Sequence, residues 1–224
     1  MDLDPALIRD GLLIFILLLV SIIFHEWGHA IAADLLGDDT PRSEGRVTLD
    51  PRSHLDLVGT IIIPLINIFV LRGGFNFIGW GKPVSVNPSN FKNRNRDDIL
   101  VSLAGPAANL AVALVAVIAG SLVVASQPRF GELVRGLVIM NVGLAVFNLI
   151  PIPPLDGGTV LRRLVGMSEE TYRSISAYSG LVILVLINLS VTQRLIGFLM
   201  DIACIPYELI CHSISPMAYH LIFT

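Results

Sequence analysis

Charge is what this sequence has least of. Only 15% of its 224 residues are Asp, Glu, Lys or Arg, against about a quarter in an ordinary soluble domain, too few to cover a water-facing surface. Cysteine is scarce as well. Cys204 and Cys211 lie in one apolar stretch and would stand about 10 Å apart along a helix, too far to bridge, so they read as small apolar fillers. No long block of Lys and Arg occurs, the formal net charge is −3 and the pI is about 5.9, which argues against a nucleic-acid partner and against disorder. The acidic start lacks an A-x-A-type cleavage site before the first apolar run, so no removable signal peptide is expected. There is no internal repeat and no polar stretch long enough for an appended soluble domain.

What fills the sequence is apolar side chain: 54% of residues are hydrophobic and the mean hydropathy is +0.74. That composition predicts a single membrane domain over residues 1–224, with the lipid bilayer as its solvent. A hydrocarbon core about 30 Å thick takes about 20 helical residues. Runs from Gly11 to Leu36, Ile99 to Ala125, Leu133 to Ile150, Ser174 to Ser190 and Leu195 to about His212 predict five spans. A sixth run, Leu55 to Leu71, carries Gly59, Pro64 and Asn67 and could cross or turn back. If it crosses, Lys and Arg divide nine against six between the two sides; if it re-enters, eleven against four. The positive-inside rule prefers re-entry with the N-terminus outside, and irregular backbone at membrane depth then implies a cavity. The expected fold is an all-α membrane protein, a polytopic bundle of five to six transmembrane helices with re-entrant or β-hairpin-like segments near the active site.

Within the first run stands His25-Glu26-Trp27-Gly28-His29. Histidines at i and i+4 share a helix face, so both imidazoles reach one metal ion while Glu26 stands beside them. Chance alone would produce HExxH in roughly 0.3% of chains of this composition. A lone histidine is usually a satisfied core residue, but three ionisable groups inside a lipid-spanning segment are costly and mark a functional site. Two histidines leave a catalytic zinc one protein ligand short.

The best candidate for the third ligand follows the third run, Asn148-Leu149-Ile150-Pro151-Ile152-Pro153-Pro154-Leu155-Asp156-Gly157-Gly158. Its prolines unwind the helix and would present Asp156 on extended backbone, with two glycines permitting close approach. The alternative is a Pro-Gly turn in which Asp156 merely caps the next segment. Re-entry of Leu55 to Leu71 leaves one crossing between the two helices and makes them parallel, so the charge count and the metal geometry ask for the same topology. Asn148 could donate to a developing oxyanion or satisfy carbonyls freed by the prolines. Ser102, Gly105 and Asn109 share a stripe that reads as close helix packing. His54, beside Asp56, reads as a solvated loop residue and Asp34 as a membrane-edge group. Trp27 and Trp80 read as interface or packing aromatics, and Glu208 with His212 and His220 gives only a faint second metal pattern.

HEWGH, the run Ala104-Gly105-Pro106-Ala107-Ala108-Asn109 and the NLIPIPPLDGG segment together resemble the signature set of the site-2 protease family of intramembrane zinc metalloproteases. The likeness extends from about Ile22 to about Arg163. Gly45-Arg46-Val47-Thr48-Leu49-Asp50-Pro51, His54-Leu55-Asp56, Gly59-Thr60 and Gly81-Lys82-Pro83-Val84 resemble a compact prokaryotic branch, and no PDZ or CBS module is recognisable. The resemblance implies one catalytic Zn2+ held by His25, His29 and Asp156, Glu26 as general base, and Asn148 at the active site. It also implies residence in the cell inner membrane and single-span membrane proteins as substrates, and a homodimer is compatible with it; the charge count and the topology put the site toward the positive, cytoplasmic side. A zinc site in the bilayer needs a substrate unwound to extended form, and residues 41–54 and 72–91 could offer it an edge strand. A proton- or ion-relaying transporter is the rival class, but it would scatter ionisable groups through the spans. A scaffold that has lost activity is the other, disfavoured by an intact Glu26.

Overall fold

The computed structural model describes residues 5–71 and 79–224. Helix α1, Pro5–Leu35, opens on a proline, whose missing N–H costs nothing at a helix start. It stops at Gly37, which takes a left-handed φ of 104°. Gly37 N–H then bonds Asp34 O and Asp38 N–H bonds Ala33 O, so the last carbonyls are closed off. Two short helices follow, α2 Thr40–Ser43 and α3 Pro51–His54, and then α4, Leu57–Val70, an apolar segment of mixed wide and normal turns.

The rest of the bundle is α5 Arg94–Val124, α6 Gly131–Asn148, α7 Asp156–Val165, α8 Glu169–Ile187, α9 Ser190–Ile214 and α10 Pro216–Phe223. Among the described residues there is no strand. Residues 41–54 hold two short helices instead of an extended edge, while residues 72–78 of the other segment expected to offer an edge strand lie outside the described part.

Among the described residues, four helices are long and apolar enough to cross a membrane: α1, α5, α6 with the turn before it, and α9. The run from Ser174 to Ser190, expected as a fifth span, falls in α8, whose opening turns carry Glu169, Glu170 and Arg173. That polar end shortens its apolar length. Helix α4 is about 20 Å long at ordinary helical rise, less than the hydrocarbon thickness. The chain that leaves it at Val70 is already back at its first turn by Trp80, whose N–H bonds Gly59 O at 3.1 Å while Thr60 Oγ1 donates to Trp80 O at 2.7 Å. A side chain at Gly59 would lie 2.3 Å from the Trp80 ring, so the return depends on that glycine.

Helix α5 is the central post. Gly28 lets α1 press against it, since a Cβ there would meet Ala104 O at 2.7 Å and the Ala108 Cβ at 2.8 Å. On its other side α5 shares an apolar core with α6, α9 and α10, built around Ala113, Val117, Val138, Val142 and Ile222, and Cys204 and Cys211 fill space there as free thiols.

The loop before α5 is tied to the end of α1 by Asp38, fully buried. Asp38 Oδ1 accepts from Thr40 Oγ1 at 2.6 Å and Asn90 Nδ2 at 2.8 Å, and Oδ2 accepts from Asn87 N–H at 2.7 Å. Burial alone would raise its pKa, but these donors outweigh it and hold the carboxyl below the usual range. A depressed pKa contributes stability above the unfolded value that disappears as pH falls through the folded one. Asp38→Ala should therefore cost about 1–3 kcal/mol in thermal unfolding in detergent at pH 7. In the same measurement Asp38→Asn should fall less steeply than wild type as the pH drops below about 4.

Candidate metal centre

One turn of α1 stacks His25 above His29, with the Nε2 atoms 3.1 Å apart. Their Nδ1 atoms are spoken for: His25 Nδ1 donates to Asn109 Oδ1 and His29 Nδ1 to Val101 O, each at 2.7 Å. Fixing the proton on Nδ1 leaves both Nε2 lone pairs aimed at one point, the usual way a protein orients metal-binding imidazoles. Asp156 arrives at that point from the other side, Oδ2 3.3 Å from His25 Nε2 and Oδ1 3.3 Å from His29 Nε2.

The proline run delivers it. Helix α6 ends at Asn148, the chain turns through Pro151, Pro153 and Pro154, and α7 begins on Asp156 itself. Asp156 is thus the first helical residue and not, as expected, a residue on extended backbone; the extended position is Leu155, at ψ 160°. The glycines act as anticipated. A Cβ on Gly157 would sit 2.3 Å from Leu149 O and one on Gly158 2.5 Å from Pro153 N, so only glycine lets α7 start this close to the end of α6.

The two imidazoles and the carboxylate form a group of three donors all within 4.8 Å of one another. Two nitrogens and one oxygen are the protein donor set of zinc hydrolases, with a coordination position left over. Asp156 Oδ2 is buried without a hydrogen-bond partner, the condition of a ligand atom. The residues fit a zinc ion. Glu208, His212 and His220 form no such group.

Backbone approach makes room for the imidazoles. A Cβ on Gly105 would be 2.3 Å from His29 Nε2 and 2.8 Å from His25 Cε1, so the glycine expected as helix packing is where α5 passes over the site. Asn109, one turn further on and likewise expected as packing, orients His25. Its Nδ2 donates to Ser21 O at 2.9 Å and Asn141 Oδ1 at 2.8 Å, and Asn141 Nδ2 donates to Ser21 Oγ at 2.9 Å. All three residues are fully buried, so three helices share one satisfied polar network. The signal was present in the sequence: Gly105 and Asn109 have the same i, i+4 spacing as the histidines.

The centre lies on a cavity of ≈ 1040 Å³ with walls mainly of aliphatic side chains. Glu26 is buried and lines it beside both histidines. Asn148 lines it too, with Nδ2 donating to Leu144 O at 3.0 Å, a carbonyl of its own helix and not one freed by the prolines. Residues 79–83 pass close to Glu26, for a Cβ on Gly81 would be 2.8 Å from Glu26 Oε1. Lys82 N–H bonds His54 O at 2.9 Å, and Arg46 Nη2 donates to Lys82 O at 2.8 Å and to Pro83 O. His54, expected in solvent, is fully buried beneath this segment, with Nε2 donating to Thr48 O at 2.7 Å.

The signature of peptidase family M50 matches residues 13–134 and 124–187. The chain belongs to peptidase family M50. It is similar to YwhC of Bacillus subtilis (strain 168), named as a candidate zinc metalloprotease, with 39% identity over 67% of this chain and 68% of the relative. Rip2 of Mycobacterium tuberculosis (strain H37Rv), named in the same way, is 32% identical over 80% of this chain and 67% of its own length. A third relative, sll0528 of Synechocystis, is 29% identical over 69% of this chain but only 32% of itself. No solved structure matches the chain. This M50 chain is therefore a metalloprotease by family, with Zn2+ the expected cofactor, and its four apolar helices make it a membrane protein of several crossings.

Removing the acceptor that orients His25 should weaken the M50 site without unfolding it. Asn109→Leu is expected to lower zinc affinity about 10–100-fold, measured by competition with a chelator, while the helical circular dichroism stays that of wild type. Gly105→Ala should lose zinc more completely, because its methyl group occupies the space of the His29 ring.

Proposed function

We propose that this M50 protein is an intramembrane endopeptidase that cuts the membrane-spanning segments of single-span membrane proteins. The observation that carries the reading is the approach of the Asp156 carboxylate to within 3.3 Å of both imidazoles on the wall of an apolar cavity. His25, His29 and Asp156 hold the zinc. Bound zinc lowers the pKa of its water to about 7 and polarises the scissile carbonyl. Glu26 accepts a proton as the water oxygen bonds to the carbonyl carbon, and returns it to the amine nitrogen as the C–N bond breaks. Asn148, turning from Leu144 O, donates to the oxyanion.

A helical substrate must unwind before its carbonyl can be attacked. The segment from Trp80 to Val84 supports a role as the strand that receives it. Trp80 and Lys82 bond inward, to Gly59 O and His54 O, and in extended chain the alternate residue, Gly81, turns its amide the other way. Helix α4, returning to its own first turn, is the re-entrant segment, and the excess of Lys and Arg on one side sets the site toward the cytoplasmic face of the inner membrane.

The test is zinc analysis and cleavage of a transmembrane peptide by detergent-purified protein. Wild type and Glu26→Gln should each bind one zinc, Asp156→Asn should lose it, and only wild type should cut, with Glu26→Gln down by at least 10²-fold. Zinc-bound wild type that cuts no helix offered, or Glu26→Gln that cuts as wild type does, overturns the reading.

A further inference from the structure

A second pocket of ≈ 400 Å³ adjoins the catalytic cavity and shares Val84, Val86, Asp98 and Thr159 with it as common wall. Its character is different. Arg94, Arg162, Arg173, Asp98 and Glu169 line it, where the catalytic cavity is chiefly aliphatic. Arg162 is nine-tenths buried, with Nη2 3.1 Å from Asp98 Oδ2, Nη1 2.6 Å from Glu169 Oε2, and its guanidinium 4.7 Å from the Tyr172 ring centre. Arg163 Nε also donates to Asp98 Oδ2, and Arg173 Nε lies 3.3 Å from Glu169 Oε1. Three arginines thus share two carboxylates, and Arg94 adds a fourth positive charge.

The cluster is short of acceptors as well as of negative charge, because Arg162 Nε and Arg163 Nη2 are buried without hydrogen-bond partners. Buried donors of this kind call for a further acceptor. The acid most easily displaced is Glu169, whose side chain is 47% exposed and whose partner Arg173 is 79% exposed. We propose that this pocket is a recognition site for a carboxylate side chain on the substrate peptide, next to the apolar segment that is cut. The proposal rests on the intramembrane protease reading and names a specificity determinant for it. A peptide is the fitting occupant because the pocket is continuous with the cavity in which the peptide is cut. The spacing follows from α7: Thr159 and Arg162 stand three and six residues beyond Asp156, about 4.5 and 9 Å along the helix, which an extended peptide covers in about three residues.

The experiment uses the zinc-loaded full chain in detergent with fluorogenic peptides of one apolar core. Each carries Glu, Gln or Lys three to five residues from the cut, on one flank or the other. On one flank kcat/KM should fall from Glu to Gln to Lys, roughly threefold or more per step, chiefly through KM. Arg173→Glu combined with Arg94→Gln should flatten or invert that order, and both residues are exposed enough to change without unfolding the protein. Glu26→Gln protein should bind the same labelled peptides in the same order by fluorescence anisotropy. Equal cleavage of all peptides by wild type overturns the inference and leaves the protease reading standing. The reverse separation is a preserved binding order with no cleavage by wild type. An order that survives in the double variant also overturns it, as does phosphatidylglycerol or inorganic phosphate that inhibits cleavage of the Glu, Gln and Lys peptides equally.

Discussion

A carboxylate set against two imidazoles, buried among apolar helices, is the contact that everything else in this protein serves. Isolated charges are expensive in such surroundings and persist only when paired or bound to a cation. Asp156 cannot reach the histidines unless α6 breaks at the right level, α7 starts within a few residues, and α1 and α6 meet beside α5. The proline run, the two glycines after Asp156 and the network of Asn109, Asn141 and Ser21 each meet one of those requirements. The site is assembled from parts far apart in sequence, and each part is shaped by that one meeting.

Close approach of backbone is the means. Gly28 lets α1 and α5 touch, Gly105 clears the imidazoles, Gly81 brings the segment after α4 to Glu26, and Gly157 with Gly158 folds α7 back on α6. Small residues of this kind are how helices pack where lipid is as apolar as any side chain. Here they also set distances in the site. The polar groups buried by such packing are satisfied in a network, Asn109 to Asn141 to Ser21, which fixes the His25 tautomer from outside the ligand set.

The sequence revealed those features whose physics is local. His25 and His29 declare themselves by helical spacing, and Asp156 by following a proline break. Features that depend on what a side chain meets across the bundle were hidden. Asn109 looked like packing because its partner, His25, is on another helix. His54 looked solvated because the segment that covers it comes 28 positions later. Asp156 opens a helix because its backbone packs on α6. Helix α8 carries Glu169, Glu170 and Arg173 in its opening turns, ahead of the apolar run that begins at Ser174.

The most direct measurement of the central claim is X-ray absorption at the zinc edge of the loaded protein, wild type beside Asp156→Asn. The account predicts one zinc per chain with two imidazole nitrogens and oxygen for the remainder in wild type, and loss or rearrangement of that coordination in the variant. A wild-type spectrum with one imidazole or none, with sulfur, or unchanged by the loss of Asp156 contradicts it.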